Sequence, residues 1–190
     1  MLGLIITFLI TFVLLFAVLE LQNFLTIKKS VFLKEEDGVK YWFIKSKYVN
    51  ARARKSVFFG KNIFVYKEYD ERIIAHEKVH LEQINFPYLI ILISSLGISI
   101  SFTTMNPIPV VLSVLYTIAL SQHYERDADL RAYKGKSMFP FSSNRPNRLR
   151  RIIGWLDTHP PTWIRDSDEY YNKENDLFYL FIRDIIIQKA

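Results

Sequence analysis

From Leu2 to Leu19 no side chain carries a charge, and only Gly3 and two threonines interrupt the apolar run. Continued to Phe24, a helix over this run is about 34 Å long at ~1.5 Å per residue, enough to cross a bilayer. A cleaved signal peptide is the competing reading. No Lys or Arg precedes the run, the run is longer than a usual signal core, and no A-x-A site follows it. We therefore read residues 1–27 as an uncleaved transmembrane anchor, with Glu20 near its end reaching the headgroups. A second apolar region covers residues 84–120. Pro87 to Met105 is uncharged, Asn106-Pro107-Ile108-Pro109 is a breaker, and Val110 to Leu120 is again apolar. The pattern predicts a helical hairpin that returns the chain to the side it left. Its second arm reaches Tyr124 in about 15 residues, short of the roughly 20 needed for a full span. A tilted or re-entrant passage and a place in a soluble core stay open for that arm.

Between the two apolar regions, Lys40–Ile44, Ser56–Phe59 and Ile63–Tyr66 are rich in aromatic and β-branched residues, with Gly60-Lys61-Asn62 as a turn signal. They predict a small sheet ending in a hairpin. Residues 57–66 hold the best candidate for a strand that pairs with an extended peptide, or else an ordinary internal strand pair. Asp70 or Glu71 opens the next helix. A later helix carries residue 129 and runs to about Lys134, with Gly135 as its stop. Ser137 to Pro146 is a loop that either covers a cleft or merely connects. Residues 174–189 read as a helix with Leu177, Phe178, Phe181, Ile182 and Ile185 apolar. The fold class expected is α+β, mainly α, with a small β-sheet.

At 190 residues, the length suits one catalytic domain plus membrane segments. Half the residues are hydrophobic although 23% are charged, so the apolar content is concentrated in the segments above. Lys28 and Lys29 follow the anchor with no basic residue before it. The positive-inside rule then sets the amino terminus outside and the following domain in the cytoplasm. The formal charge is +6, much of it beside the membrane, and no nucleic-acid motif is present. Arg145, Arg148, Arg150 and Arg151 form a basic cluster, either a solvated helix face or a contact for anionic headgroups. There are no cysteines, so neither disulfides nor thiolate ligands enter.

The candidate chemistry begins at His76-Glu77-Lys78-Val79-His80, an H-E-x-x-H pattern. Residues four apart share a helix face, so both imidazoles can reach one metal ion, and Glu77 beside them can take a proton from water. Hydrolytic zinc usually has three protein ligands. Glu125-Arg126-Asp127-Ala128-Asp129, an E-x-x-A-D pattern, starts 45 residues after His80. Glu125 can be the third ligand. Asp129 can accept a hydrogen bond from a ligand imidazole and fix its tautomer. A solvated acidic helix end is the plain alternative for this cluster.

Thr158-His159-Pro160-Pro161-Thr162-Trp163-Ile164-Arg165 adds a third motif, H-P-P-x-x-x-R. In this order the three motifs resemble those of the HtpX-type membrane metallopeptidases and type I CAAX prenyl endopeptidases, which are gluzincins. The match covers roughly residues 45–166. The resemblance implies a gluzincin catalytic domain holding one Zn²⁺ by His76, His80 and Glu125. It implies Glu77 as general base, His159 as stabiliser of an oxyanion, Asp129 as the carboxylate orienting a ligand histidine, and Arg165 as partner of Asp129 or the site carboxylates. Fuller members are larger, so this chain looks like a reduced version without a large enclosed chamber. The expected organisation is an anchor over 1–27, a metallopeptidase domain from 28–83 and 121–190, and an inserted apolar hairpin over 84–120. The expected function is zinc-dependent endopeptidase activity in the cell membrane, on a peptide or membrane-protein substrate, with the bilayer as partner and no nucleic acid. An inactive zinc-binding adaptor, a self-blocked form, and a membrane protein with chance motifs are the alternatives. The sequence carries no signal for oligomeric state.

Overall fold

The computed structural model describes residues 2–45, 51–66, 70–133 and 146–187. The expected helix stop at Lys134–Gly135, Arg145, and nearly all of the 137–146 loop lie outside the described residues. The chain divides into two compact units, Met1–Val114 and Leu115–Ala190. It is mainly helical with one small mixed sheet of four strands.

The first unit opens with helix α1 (Leu2–Lys28). Two strands follow, β1 (Val31–Glu36) and β2 (Val39–Phe43). They pair antiparallel around Asp37-Gly38, where φ is +52° and +71°. Two successive left-handed residues make the tight turn whose twist suits a hairpin, and Asp-Gly is a preferred pair for it. Then come β3 (Ala51–Ser56), β4 (Gly60–Val65) and helix α2 (Glu71–Glu82). The strand order is β1-β2-β4-β3, with β4 parallel to β2 and antiparallel to β3. Tyr41, Ile63 and Val65 from the sheet and Ile74 and Leu81 from α2 form one buried core.

Two strand expectations are corrected. Residues 57–59 are not a strand: β3 ends at Ser56, and 57–59 form the turn into β4. The aromatic residues there pack on α1 instead, Phe58 against Phe16 (6.2 Å between centroids) and Phe59 against Phe24 (6.1 Å). The candidate peptide-pairing strand at 57–66 is also displaced, because β4 lies inside the sheet with neighbours on both sides; β1 and β3 are the edges, and β3 is the one beside α2. Asn62 on β4 is almost fully buried. Its amide accepts from Trp42 Nε1 (2.8 Å) and donates to the carbonyls of Phe59 (3.1 Å) and Gly60 (3.0 Å), so it fixes the turn and the β2–β4 pairing together.

Helix α3 (Phe86–Thr104) turns at Met105 into α4 (Ile108–Ala132). The two pass closely at Gly97, where a Cβ would sit 2.5 Å from Ser113 Oγ and 3.0 Å from the Pro109 carbonyl. Ser101 Oγ accepts from the Val110 amide (3.0 Å) and closes the tip. The apolar first half of α4 runs without a break into a polar second half. The short second arm is thus the start of a longer helix. Among the described residues two helices, α1 and α3, are long and apolar enough to cross a membrane.

Glu20 corrects another expectation. It does not reach towards headgroups but is 6% exposed within the protein. Its carboxylate accepts from Ser56 Oγ on β3 (2.5 Å) and from the Tyr88 hydroxyl on α3. Beside it, Asn23 Oδ1 accepts from Arg54 Nη1 (3.0 Å). A carboxylate that takes hydrogen bonds from two other elements locks α1 to the sheet and to α3.

The second unit holds the polar half of α4, then α5 (Arg148–Gly154), α6 (Thr162–Arg165), α7 (Asp168–Tyr171), α8 (Leu177–Ile182) and a closing π-helical turn, Arg183–Ile187. Trp155, Ile164, Tyr170, Leu177, Leu180 and Ile185 make its core. Gly154 lets the Trp163 ring lie against α5, since a Cβ there would come within 2.4 Å of the ring.

Replacing Glu20 tests its buried role. Glu20→Leu leaves the Ser56 and Tyr88 hydroxyls without their acceptor, at about 1–3 kcal/mol for each buried group left unsatisfied. Denaturant unfolding in detergent should therefore show a clear loss of stability. A Glu at a lipid-facing position would behave oppositely, so an equal or higher midpoint for Glu20→Leu would refute the assignment.

Candidate metal centre

In the first unit the two imidazoles converge. Asp70 caps α2, its carboxylate accepting from the Arg72 amide at 2.9 Å, which satisfies a donor the helix leaves open. Ile74, Val79 and Leu81 turn inward, and α2 lies along β3 and β4. That packing sets the rotation of the helix and brings His76 and His80 to one face. Their Nε2 atoms are 3.1 Å apart, with ring planes at 83°. Two nitrogens bound at about 2.05 Å to a tetrahedral ion would be separated by roughly 3.3 Å. His80 Nδ1 lies 2.8 Å from Gln83 Oε1. An amide oxygen only accepts, so with this amide orientation His80 carries its proton on Nδ1 and presents a lone pair on Nε2. Gln83 is itself held, because Lys55 Nζ on β3 donates to its backbone carbonyl.

Glu77 points to the edge strand. Its Oε2 accepts from the Ala53 amide of β3 at 2.5 Å. The Ala53 N–H therefore faces away from β4. By the alternation of an antiparallel pair, the backbone groups of Ala51 and Lys55 face the same open side.

In the second unit the polar end of α4 carries Glu125 and Asp129. Asp129 is fully buried. Arg165 grips it with two parallel bonds, Nε to Oδ2 (2.8 Å) and Nη2 to Oδ1 (2.7 Å), and the Tyr170 hydroxyl donates to Oδ2 (2.8 Å). Burial works against the Arg165 charge, but the Asp129 carboxylate outweighs it and holds the guanidinium above its ordinary pKa. Burial, and then the Asp129 charge, push the Tyr170 phenol well up, so it stays a donor. Pro160 and Pro161 are buried and lead into the single turn of α6, which returns Arg165 to the core. His159, just before them, is exposed. Its Nε2 lies 3.4 Å from Glu125 Oε1, and its Nδ1 lies 3.1 Å from Thr158 Oγ1.

The structure thus pairs His76 with His80, Glu77 with the β3 edge, Glu125 with His159, and Asp129 with Arg165. Three contributors were missed in the sequence. Gln83 stands three residues after His80, a spacing that could have suggested contact on one helix face. Tyr170 and Arg126 had no such local signal. Arg126 Nε and Nη2 donate to the carbonyls of Tyr170 (2.9 Å) and Asn172 (2.8 Å), fastening α4 to α7. Set against protein-family models, curated proteins and solved structures, the chain matches none of them.

The buried pair makes a testable demand. Arg165→Met removes the guanidinium and strands the Asp129 charge, which costs about 3–5 kcal/mol for a buried ion pair broken on one side. Chemical denaturation of the full chain in detergent should register a loss of that size. A loss below about 1 kcal/mol, the range of a surface pair, would mean the contact carries no weight.

Proposed function

We propose that this chain is a membrane-anchored, zinc-dependent endopeptidase of gluzincin type. The observation that carries the reading is the 3.1 Å convergence of the His76 and His80 Nε2 atoms on α2. One zinc ion held by His76, His80 and Glu125 is the proposed centre, a donor set that could hold a metal ion. The set fits zinc in hydrolytic use: neutral imidazoles, one of them with its tautomer set by Gln83, and one carboxylate. Bound there, the ion would supply Lewis acidity and make water a better nucleophile.

The chain's own side chains are assigned the remaining steps. Glu77 takes the proton of the attacking water and passes it to the leaving amine. His159 donates to the oxyanion that develops at the scissile carbonyl. Asp129, gripped by Arg165 and Tyr170, orients a ligand imidazole. An extended peptide pairs with the edge of β3, whose Ala51, Ala53 and Lys55 backbone groups face outward. Helices α1 and α3 cross the membrane and the apolar first half of α4 brings the chain back, so that the whole site lies on the cytoplasmic side. A zinc-binding adaptor without turnover is the second reading. It is favoured by one contact, the Ala53 amide on the Glu77 carboxylate, which a peptide on β3 would have to displace.

Variants of the full chain order these roles. Glu77→Gln keeps the shape and loses the base, so zinc content stays at one per chain while peptide cleavage falls by about 10²–10⁴. His80→Ala loses both metal and cleavage. Gln83→Leu keeps the fold and weakens zinc roughly 10–100-fold, because the imidazole loses its orienting acceptor. Zinc content by metal analysis and cleavage of a casein-like substrate are the two readouts. A Glu77→Gln protein that cleaves as fast as the parent ends the hydrolytic proposal, and a parent that holds zinc but never cleaves favours the adaptor.

A further inference from the structure

Helix α5 is turned inside out. Its arginine at position 151 is 2% exposed, whereas Leu149 (66%), Ile152 (39%), Ile153 (57%) and Leu156 (54%) are exposed. These four stand at i, i+3, i+4 and i+7, a single apolar stripe along the helix and the turn that closes it. The orientation is enforced from inside. Arg151 Nη1 donates to the Asp184 carbonyl at 2.6 Å, and Trp155 Nε1 donates to the Asp184 carboxylate at 2.9 Å. The helix cannot rotate to bury its stripe without tearing a buried charge from its partner. The arginines read from the sequence as one basic cluster are therefore split where they are described: Arg151 is internal, while Arg148 and Arg150 are exposed beside the stripe.

We infer that this face of α5 lies in the headgroup–acyl boundary of an anionic bilayer. Aliphatic side chains on one face with arginines at its edge are the pattern of an interfacial helix, where the chains enter the acyl region and the guanidinium groups meet phosphates. Leu156, the last residue of the stripe, and Phe178 line one mostly apolar pocket with Leu115 and Ile118 of α4. A second copy of the chain suits the face poorly. Symmetric pairing would set Arg148 and Arg150 against themselves, and two turns of helix fall far below the ~800 Å² per partner of a stable dimer.

The chain has no cysteine, so single-cysteine probes can be placed at will. The full-length protein carrying Leu149→Cys or Ile153→Cys is labelled with an environment-sensitive fluorophore. It is reconstituted into phosphatidylcholine vesicles with and without phosphatidylglycerol, and quenched by lipids brominated along the acyl chain. Glu174→Cys, exposed in the same unit, is the water-facing control. Leu9→Cys reports separately on α1 as an anchor. Probes at 149 and 153 should be quenched at a depth of about 5–10 Å, the probe at 174 should not, and Arg148→Glu with Arg150→Glu should reduce the quenching. Quenching at 9 but none at 153 overturns this inference and leaves the anchor standing. Quenching at 149 and 153 that ignores phosphatidylglycerol and both arginine variants overturns the anionic partner. A probe at 153 shielded equally in detergent, in proportion to protein concentration, assigns the face to a second copy and overturns the inference.

Discussion

A carboxylate taken out of water must be met by donors, and the chain satisfies this demand three times with residues far apart in sequence. Glu20 on α1 accepts from Ser56 on β3 and Tyr88 on α3. Asp129 on α4 accepts from Arg165 and from Tyr170. Asp184 near the carboxyl terminus accepts from Trp155 and Trp163. Each cluster joins elements that apolar packing alone would leave free to slide. Burial makes such bonds costly to lose, since an unpaired charge in a low-dielectric interior costs several kcal/mol. In a small chain with much of its apolar surface spent on two membrane-length helices, these polar locks supply the specificity that a large core would otherwise give.

The locks also set the geometry of the candidate site. The Glu20 cluster holds the β3–β4 turn against α1 and so fixes the edge strand. Lys55, one residue before Ser56, reaches the carbonyl of Gln83, and Gln83 orients His80. The path from α1 to the His80 imidazole therefore runs through only a few side chains. In the second unit Arg165 and Tyr170 neutralise and fix Asp129, so the polar end of α4 is rigid one turn beyond Glu125. A metal centre benefits from such order, because ligands held by a second layer of contacts need little rearrangement to bind.

What could be read from the sequence was what depends on near neighbours. The H-E-x-x-H helix and its Asp70 start follow from a 3.6-residue period and a local cap. The long apolar helix α1 and the α3–α4 helical hairpin follow from uncharged runs. Long-range partners were hidden. Glu20 looked like a headgroup residue because Ser56 and Tyr88 are 36 and 68 positions away. Strand β3, Ala51-Arg-Ala-Arg-Lys-Ser, has no β-branched or aromatic residue, and is a strand because β4 pairs with it rather than by propensity. Conversely, Val57-Phe58-Phe59 has strong strand character yet forms a turn, because α1 offers aromatic partners there. Arg148, Arg150 and Arg151 looked alike in the sequence, and only Asp184 distinguishes Arg151 from the other two.

That aromatic turn bears on how a substrate would be selected under the proposed peptidase reading. Phe58 packs at the level of Phe16, well inside the apolar run of α1. Ser56, where β3 ends, meets Glu20 near the close of that run. Ala53, whose amide holds Glu77, is three residues further along the strand, about 10 Å at ~3.3 Å per residue. If β3 pairs with the substrate as proposed, an extended chain would rise along it from the bilayer surface and meet the catalytic carboxylate within about three residues. A segment emerging from the same membrane would arrive already aligned, at a high effective concentration, whereas a soluble peptide would first have to find the edge. Selection would then rest on distance from the bilayer, a constraint that a short strand tied to an anchor helix can impose by itself.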